Sequence, residues 1–313
     1  MNWDKIVEPL EELKDCSLCP RDCRADRSSD KLGYCQSGVG YSVSSIFAHK
    51  GEEPVLSGDR GICNIFFTRC NMQCVYCQNY QISRNRDFIR ENMLNLIDIV
   101  CQVESVLDSG ARAVGFVSPS HFIPQMKTII NALTERGRDP VYVFNSNGYD
   151  RVETLKTLEG VIDVYLPDMK YMDAGLAKRY SDAPRYPEIA KAALKEMFRQ
   201  KGAEIRLADD GTIDEGMIIR HLVLPGEVEN SKRVLRFIAE ELSPDLHISL
   251  MSQYSPTPAV RDHPDLGRVL RVEEYDEVLD EFDRLGFHRG WVQQMDSPFH
   301  YQPDFDDEKP FKE

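Results

Sequence analysis

The sequence has no apolar run approaching the ~20 residues of a membrane-spanning helix. Its first stretch, Met1 to Lys14, is acidic and amphipathic and lacks the apolar core of a signal peptide. Together these absences predict a cytoplasmic protein without a membrane partner. Basic residues are also in deficit, with 38 Lys and Arg against 52 Asp and Glu and a formal net charge of −14. A surface of that sign repels a phosphate backbone, which argues against nucleic acid as a general partner. No internal repeat appears beyond an alternation of short apolar runs with stretches of helical period.

What is present is the composition of a globular protein with a proper core, 42% hydrophobic and 29% charged. A length of 313 residues suits two average domains or one large α/β barrel. Nine cysteines in a reducing compartment are poor disulfide candidates, so their spacing is the signal. Seven fall into two groups: Cys16, Cys19, Cys23 and Cys35, then Cys70, Cys74 and Cys77. Cys63 is too far from Cys70 along an extended strand to share its ligand set. Cys101, in an apolar helical stripe, reads as a small buried hydrophobe.

Strand-length apolar runs at 64–68, 113–118, 141–145, 161–166, 218–224 and 247–251 predict six parallel strands. Between them, Met93, Leu94, Ile97, Val100 and Val103 recur at helical steps, as do Val234, Leu235, Ile238, Ala239 and Leu242. Gly110, Gly137, Gly160 and Gly202 fall where such helices should stop. Asp209-Asp210-Gly211 reads as a hairpin turn, 272–285 as a last helix, and the acidic, proline-bearing tail after Ser297 as loose. The expected fold is α/β, a partial (β/α)6 TIM-like barrel over 61–296, with a cysteine-rich N-terminal extension over 1–60 and an acidic tail over 297–313.

Three thiolates spaced CxxxCxxC directly after a strand can hold three corners of a [4Fe–4S] cluster and leave the fourth iron without a protein ligand. The loop after the first strand is also where an α/β barrel places its chemistry. S-adenosylmethionine can chelate the open iron, and an electron from the cluster then yields a 5′-deoxyadenosyl radical that abstracts hydrogen. A structural zinc loop would instead want a fourth ligand close by. Tyr76, beside the last cysteine, is placed to pack on an adenine ring.

The stretch Cys70-Asn-Met-Gln-Cys-Val-Tyr-Cys resembles the radical S-adenosylmethionine superfamily. The wider chain is similar to its PflX-type, pyruvate formate-lyase activating enzyme-like branch. That likeness runs from Cys16-Ser-Leu-Cys-Pro-Arg-Asp-Cys through His49-Lys-Gly-Glu-Glu-Pro, Val117-Ser-Pro-Ser-His-Phe-Ile-Pro and Tyr165-Leu-Pro-Asp-Met-Lys to His221-Leu-Val-Leu-Pro-Gly and Ser249-Leu-Met-Ser-Gln-Tyr. It implies a partial (β/α)6 barrel with the cluster at its open mouth, and it implies no particular substrate. Where activases carry Gly-Gly-Glu, this chain has Ser118-Pro119-Ser120-His121; where they carry Asp-Thr-Asn-Gly and Pro-Tyr-His, it has Asn145-Ser-Asn-Gly and Ser252-Gln-Tyr. Asp168-Met-Lys170 does match the activase Asp-x-Lys motif.

The cofactor-binding candidates are therefore Tyr76, Ser118, Ser120, His121, Asn145, Asp168, Lys170 and Pro225. Asn147, Gln253 and Tyr254 also stand at strand ends, and His49 and His221 read as structural histidines. Cys16, Cys19, Cys23 and Cys35 form a candidate second metal site, for a second [4Fe–4S] cluster or a structural zinc. The reading is a radical S-adenosylmethionine enzyme, oxidoreductase in type, acting on an unidentified protein or small-molecule substrate. Its electron donor would be a reduced flavodoxin or ferredoxin. The rival readings are a glycyl-radical enzyme activase and a non-catalytic iron–sulfur or zinc redox protein.

Overall fold

The computed structural model describes residues 10–89, 91–297, 302–307 and 310–311. Residues 1–9 of the expected acidic N-terminal segment, and 298–301, 308–309 and 312–313 of the expected tail, lie outside the described residues.

Among the described residues the ten strands in chain order are β1 (Tyr41–His49), β2 (Ile62–Phe67), β3 (Asn92–Leu94), β4 (Ala113–Val117), β5 (Val141–Ser146), β6 (Val164–Pro167), β7 (Arg206–Leu207), β8 (Ile213–Leu222), β9 (His247–Met251) and β10 (Gly290–Val292). They form one sheet in the order β10-β9-β8-β6-β5-β4-β2-β1-β3, with β7 on β8. From β2 to β10 along that path every pairing is parallel, whereas β1 runs antiparallel to both β2 and β3. The expected six parallel strands are all present, and the partial barrel is the observed fold. Trp291 lies on a seventh parallel strand, and the 60/61 boundary falls between two paired strands of one sheet.

Three elements differ from the sequence expectation. Met93 and Leu94 belong to β3, because Asn95 accepts the Asp98 backbone N–H at 2.9 Å and starts the helix only at Leu96. Val161 and Ile162 close the turn after a short helix, so β6 begins at Val164. β8 starts at Ile213, before the expected 218, because it pairs with β7 across the Asp209–Gly211 turn.

The helices are α1 (Pro54–Ser57), α2 (Tyr80–Ser83), α3 (Leu96–Asp108), α4 (Ile123–Glu135), α5 (Val152–Lys156), α6 (Ala174–Ser181), α7 (Tyr186–Lys201), α8 (Val228–Glu241) and α9 (Val272–Arg284). Outward-facing strand residues such as Ile65, Phe116, Phe144, Ile219 and Leu250 form the main core with the helix stripes. On α3 that stripe is Ile99, Val100 and Val103, which leaves Cys101 on the solvent side; the expectation that it is buried is corrected.

Because side chains alternate along a strand, the inward residues stack in layers. The lowest layer is apolar: Ile62, Ala113, Val143, Val164 and Ile218, with Leu56 packed against it. The next is polar, built on Asn64, Asn145, Arg220 and Ser249. Gly115 shares that level, where a Cβ would stand 2.1 Å from Asn64 Oδ1, so only glycine leaves room for the amide. Asp168, Leu222 and Met251 lie one layer further up.

The tail is not loose where it is described. Phe305 and Phe311 pack on Phe66, with ring centroids 5.4 and 5.9 Å away, and Gln81 binds Asp304 at 2.8 Å. Two aromatic rings that find an apolar shelf outweigh the local acidic character.

Candidate active site

The loop carrying Cys70, Cys74 and Cys77 follows the C-terminal end of β2 and is fixed at several points. Asn85 accepts the Cys70 N–H at 3.2 Å and donates to its carbonyl at 2.8 Å. The N–H groups of Gln73 and Val75 bind the Ser181 and Tyr180 carbonyls at the end of α6. Thr257 holds the Val75 carbonyl at 2.6 Å. These anchors aim all three thiols into one cavity of about 380 Å³ inside the barrel mouth.

Each sulfur accepts a hydrogen bond. Met72 N–H and Asn147 Nδ2 both reach Cys70 Sγ at 3.4 Å, Ser181 Oγ reaches Cys74 Sγ at 3.0 Å, and Ser83 Oγ reaches Cys77 Sγ at 3.3 Å. Burial pushes the Cys70 thiol up to about 12 and the Cys74 thiol to about 11, with Lys170 drawing Cys74 back. A bound metal would have to displace those protons, and donors to the sulfurs then stabilise the thiolates. The donor set fits a cluster held on three corners. Among the described residues, no three Cys, His, Asp or Glu side chains are drawn together as a single-ion site.

Asn147 is aimed by a tight turn. Gly148 has φ +78°, and a Cβ there would lie 2.2 Å from the Asp168 carbonyl. Asn147 Nδ2 also reaches Asn71 Oδ1 at 2.7 Å, and Asn71 binds the Tyr149 carbonyl, so the loops after β2 and β5 are tied together.

Below the cysteines runs a chain of charges. Lys170 Nζ meets Asp168 Oδ2 at 2.5 Å, Asp168 Oδ1 meets Arg220 Nε at 2.9 Å, and Arg220 Nη1 meets Glu52 Oε2 at 3.2 Å. Arg220 Nη2 donates to Asn145 Oδ1 at 2.6 Å; Glu52 Oε1 accepts from Asn64 at 2.9 Å and Asn145 at 3.2 Å. Burial alone would raise the Asp168 carboxyl, but Arg220 and then Lys170 hold it below the usual carboxylate value. Burial would likewise lower Lys170, and Asp168 overcomes it. Desolvated charges persist here because each has a partner.

Of the expected cofactor residues, Tyr76, Ser118, Asn145, Asp168 and Lys170 line this cavity, with Asn147 and Gln253. Tyr76 is buried, its hydroxyl 2.6 Å from that of Tyr171. Ser120, His121 and Pro225 are not in the lining. Ser118 takes a left-handed conformation (φ 50°) that turns the chain into a 3-10 segment and buries His121, whose Nε2 lies 3.0 Å from the Thr68 carbonyl. Burial lowers that imidazole to about 3, so it stays neutral. His221 is buried with Nδ1 2.6 Å from the Met169 carbonyl, and the Tyr254 hydroxyl donates to Leu266, which gives both structural partners. Pro225 is buried just beyond β8.

His49, read as structural, does line the cavity, where burial lowers it to about 4 and its ring lies 4.2 Å from that of Phe311. Sequence reasoning also missed Arg220, Glu52, Glu53 and Ser249 as cavity residues. A usable signal existed for Arg220, a lone charge in the inward register between Ile218 and Leu222.

The N-terminal cysteines gather separately. Cys16, Cys19 and Cys35 are buried and Cys23 is exposed. Burial first, and then the neighbouring thiols, push Cys19 up to about 12 and raise Cys16 as well. The segment docks beside the barrel mouth, with Arg21 Nε 2.8 Å from the Asn71 carbonyl and its guanidinium 3.6 Å from the Tyr34 ring centre.

A partial parallel barrel with a CxxxCxxC loop after its first barrel strand is the architecture that the sequence resemblance implies. More narrowly, the chain belongs to the family of the uncharacterized protein MJ0674 of Methanocaldococcus jannaschii. The two are 30% identical over 286 residues, which cover 88% of this chain and 77% of that protein. No protein-family model matches the chain. Solved structures also resemble it, among them the following. A domain of pyruvate-formate lyase-activating enzyme from Bacteroides vulgatus ATCC 8482 has a TM-score of 0.38 at 15% identity, covering 55% of this chain and 93% of that one. Streptococcus suis SuiB has a TM-score of 0.47 at 13% identity, covering 72% of this chain and 47% of that one. Native anSMEcpe with bound AdoMet has a TM-score of 0.48 at 12% identity, covering 72% of this chain and 61% of that one. These are likenesses of backbone path; the functional reading rests on the residues of the cavity. Among the described residues, no helix is long and apolar enough to cross a membrane.

Proposed function

We propose that the protein is a radical S-adenosylmethionine enzyme that holds a [4Fe–4S] cluster on Cys70, Cys74 and Cys77. The observation that carries this reading is the convergence of three hydrogen-bonded thiols on one cavity that also presents a buried Asp168–Lys170 pair. With both groups bound, the cluster and cofactor would supply a 5′-deoxyadenosyl radical for hydrogen abstraction from the substrate.

The chain's own residues set the conditions for that chemistry. Asn147, Ser181 and Ser83 donate to the three sulfurs and so stabilise their anionic form. Lys170 and Asp168 offer one charge of each sign beside Cys74, matching the carboxylate and ammonium of an amino-acid cofactor. Tyr76 presents a flat buried surface for adenine. An external one-electron donor is required, and a reduced flavodoxin or ferredoxin fits that need. Cys16, Cys19, Cys23 and Cys35 would bind a second metal, as a cluster or as zinc.

The test is anaerobic reconstitution with iron and sulfide, followed by dithionite and S-adenosylmethionine. About four irons at the three-cysteine site and release of 5′-deoxyadenosine are expected, and Cys74→Ala should lose both. Iron bound without any 5′-deoxyadenosine would defeat the enzymatic reading, and zinc in place of iron would defeat the cluster.

A further inference from the structure

Glu53 lines the same cavity from the segment joining β1 to α1. It is only 7% exposed, and its Oε2 has no hydrogen-bond partner among the described residues. The Ser249 hydroxyl is within hydrogen-bonding reach of the carboxyl, but among the described residues no cation is bonded to it. The neighbouring charges account for one another. Arg220 bonds both Glu52 and Asp168, Lys170 bonds Asp168, and His49 is held neutral by burial. Among the described residues of the lining, three carboxylates thus share the cavity with two cations, and Glu53, which Arg220 attracts without bonding, is the one with no bonded counter-ion.

A buried acceptor without a donor costs free energy that a protein retains where a ligand will satisfy it. The ligand chemistry follows from the imbalance. Burial raises the Glu53 carboxyl and the attraction of Arg220 does not overcome it, so a cationic group at Oε2 would supply the missing partner. Trp291, Phe66 and Met251 line the same space and offer apolar and aromatic surface for the carbon stem behind such a cation. The chain Glu52–Arg220–Asp168–Lys170 ends beside Cys74, whereas Ser249 stands opposite Arg220 on the neighbouring strand and Glu53 follows Glu52, at the other end of that chain.

We infer that Glu53, supported by Ser249, is the substrate-anchoring residue of this cavity and takes the ammonium group of an amine-bearing substrate. The word substrate rests on the radical reading above, but the ammonium site itself does not.

The experiment titrates n-butylammonium chloride into the full-length, anaerobically reconstituted protein by calorimetry, with n-butanol and sodium butyrate as neutral and anionic analogues. Saturable binding of the ammonium alone is expected, weakened at least tenfold in Glu53→Gln. If Glu53→Gln fails to fold, the discrimination among the three probes by the wild-type protein still decides the matter. Equal binding of ammonium and alcohol, no binding of ammonium, or unchanged binding in a folded Glu53→Gln would overturn the inference. Competitive displacement of the ammonium by S-adenosylmethionine would overturn it too, by assigning Glu53 to the cofactor. Release of 5′-deoxyadenosine by the same wild-type preparation, measured separately, reports on the radical reading, so either idea can fail while the other stands.

Discussion

Arg220 donates from Nε to Asp168 Oδ1 at 2.9 Å across two neighbouring parallel segments, though the residues are 52 positions apart in the chain. The same guanidinium reaches Glu52 and Asn145, so one side chain ties β5, β6, β8 and the segment after β1 around the barrel axis. Removing it leaves two desolvated carboxylates facing each other. Arg220→Met should therefore destabilise the fold by roughly 3–5 kcal/mol, and Arg220→Lys, which keeps the charge but loses the fork, by less. An unchanged thermal midpoint in Arg220→Met would show that the network contributes nothing to stability.

Gly148 and Gly137 share a left-handed φ, +78° and +75°, but differ in surroundings. A Cβ at Gly137 meets nothing within 4 Å, while one at Gly148 strikes the Asp168 carbonyl and the Tyr186 hydroxyl. Gly137→Ala should cost only the backbone strain of about 1–2 kcal/mol. Gly148→Ala should cost more and also reduce iron loading, because the turn that aims Asn147 at Cys70 must shift. Equal effects of the two substitutions on denaturation and iron content would contradict this.

Asp150 is buried, and burial pushes its carboxyl up to about 6 from an ordinary 3.8, with the Ser120 and Ser146 hydroxyls opposing. The folded pKa lies above the unfolded one, so the neutral acid is the stabilising form. Its contribution is complete below about pH 4 and is lost as the pH rises through 6. Asp150→Asn should accordingly gain on the wild type by up to about 3 kcal/mol between pH 4 and pH 7, read from denaturant unfolding at each pH. A difference that stays flat with pH would sink the assignment.

Cys19 is buried among the other N-terminal thiols. If these four bind a second cluster, reconstituted wild-type protein should carry about eight irons and Cys19→Ser about four. A zinc site would instead give about four irons and one zinc in the wild type, with only the zinc lost in the variant. Identical metal content in the two proteins would remove the four thiols from the ligand set.

Much of this was legible in the chain. The βα alternation shows in apolar runs because parallel strands buried on both faces must be apolar nearly throughout, and β9 was read to the residue at His247–Met251. Other elements were hidden. β1 is an antiparallel strand whose partners, β2 and the edge strand β3, lie on either side of it in space but both follow it in sequence. β3 is only three residues long and borrows the apolar rhythm of the helix it precedes.

The site divides in the same way. Sequence by itself determined the three-cysteine loop, the Asp168–Lys170 pair and the parallel barrel, because each is written in spacing between residues close together in the chain. Only the tertiary structure decided that His121 is buried away from the cavity, that Arg220 links Asp168 to Glu52, and that Glu53 has no bonded counter-ion among the described residues. Those facts depend on which faces of distant strands meet, and on how many charges share one desolvated space. Local spacing encodes neither; the closing of the sheet around its polar layer sets both.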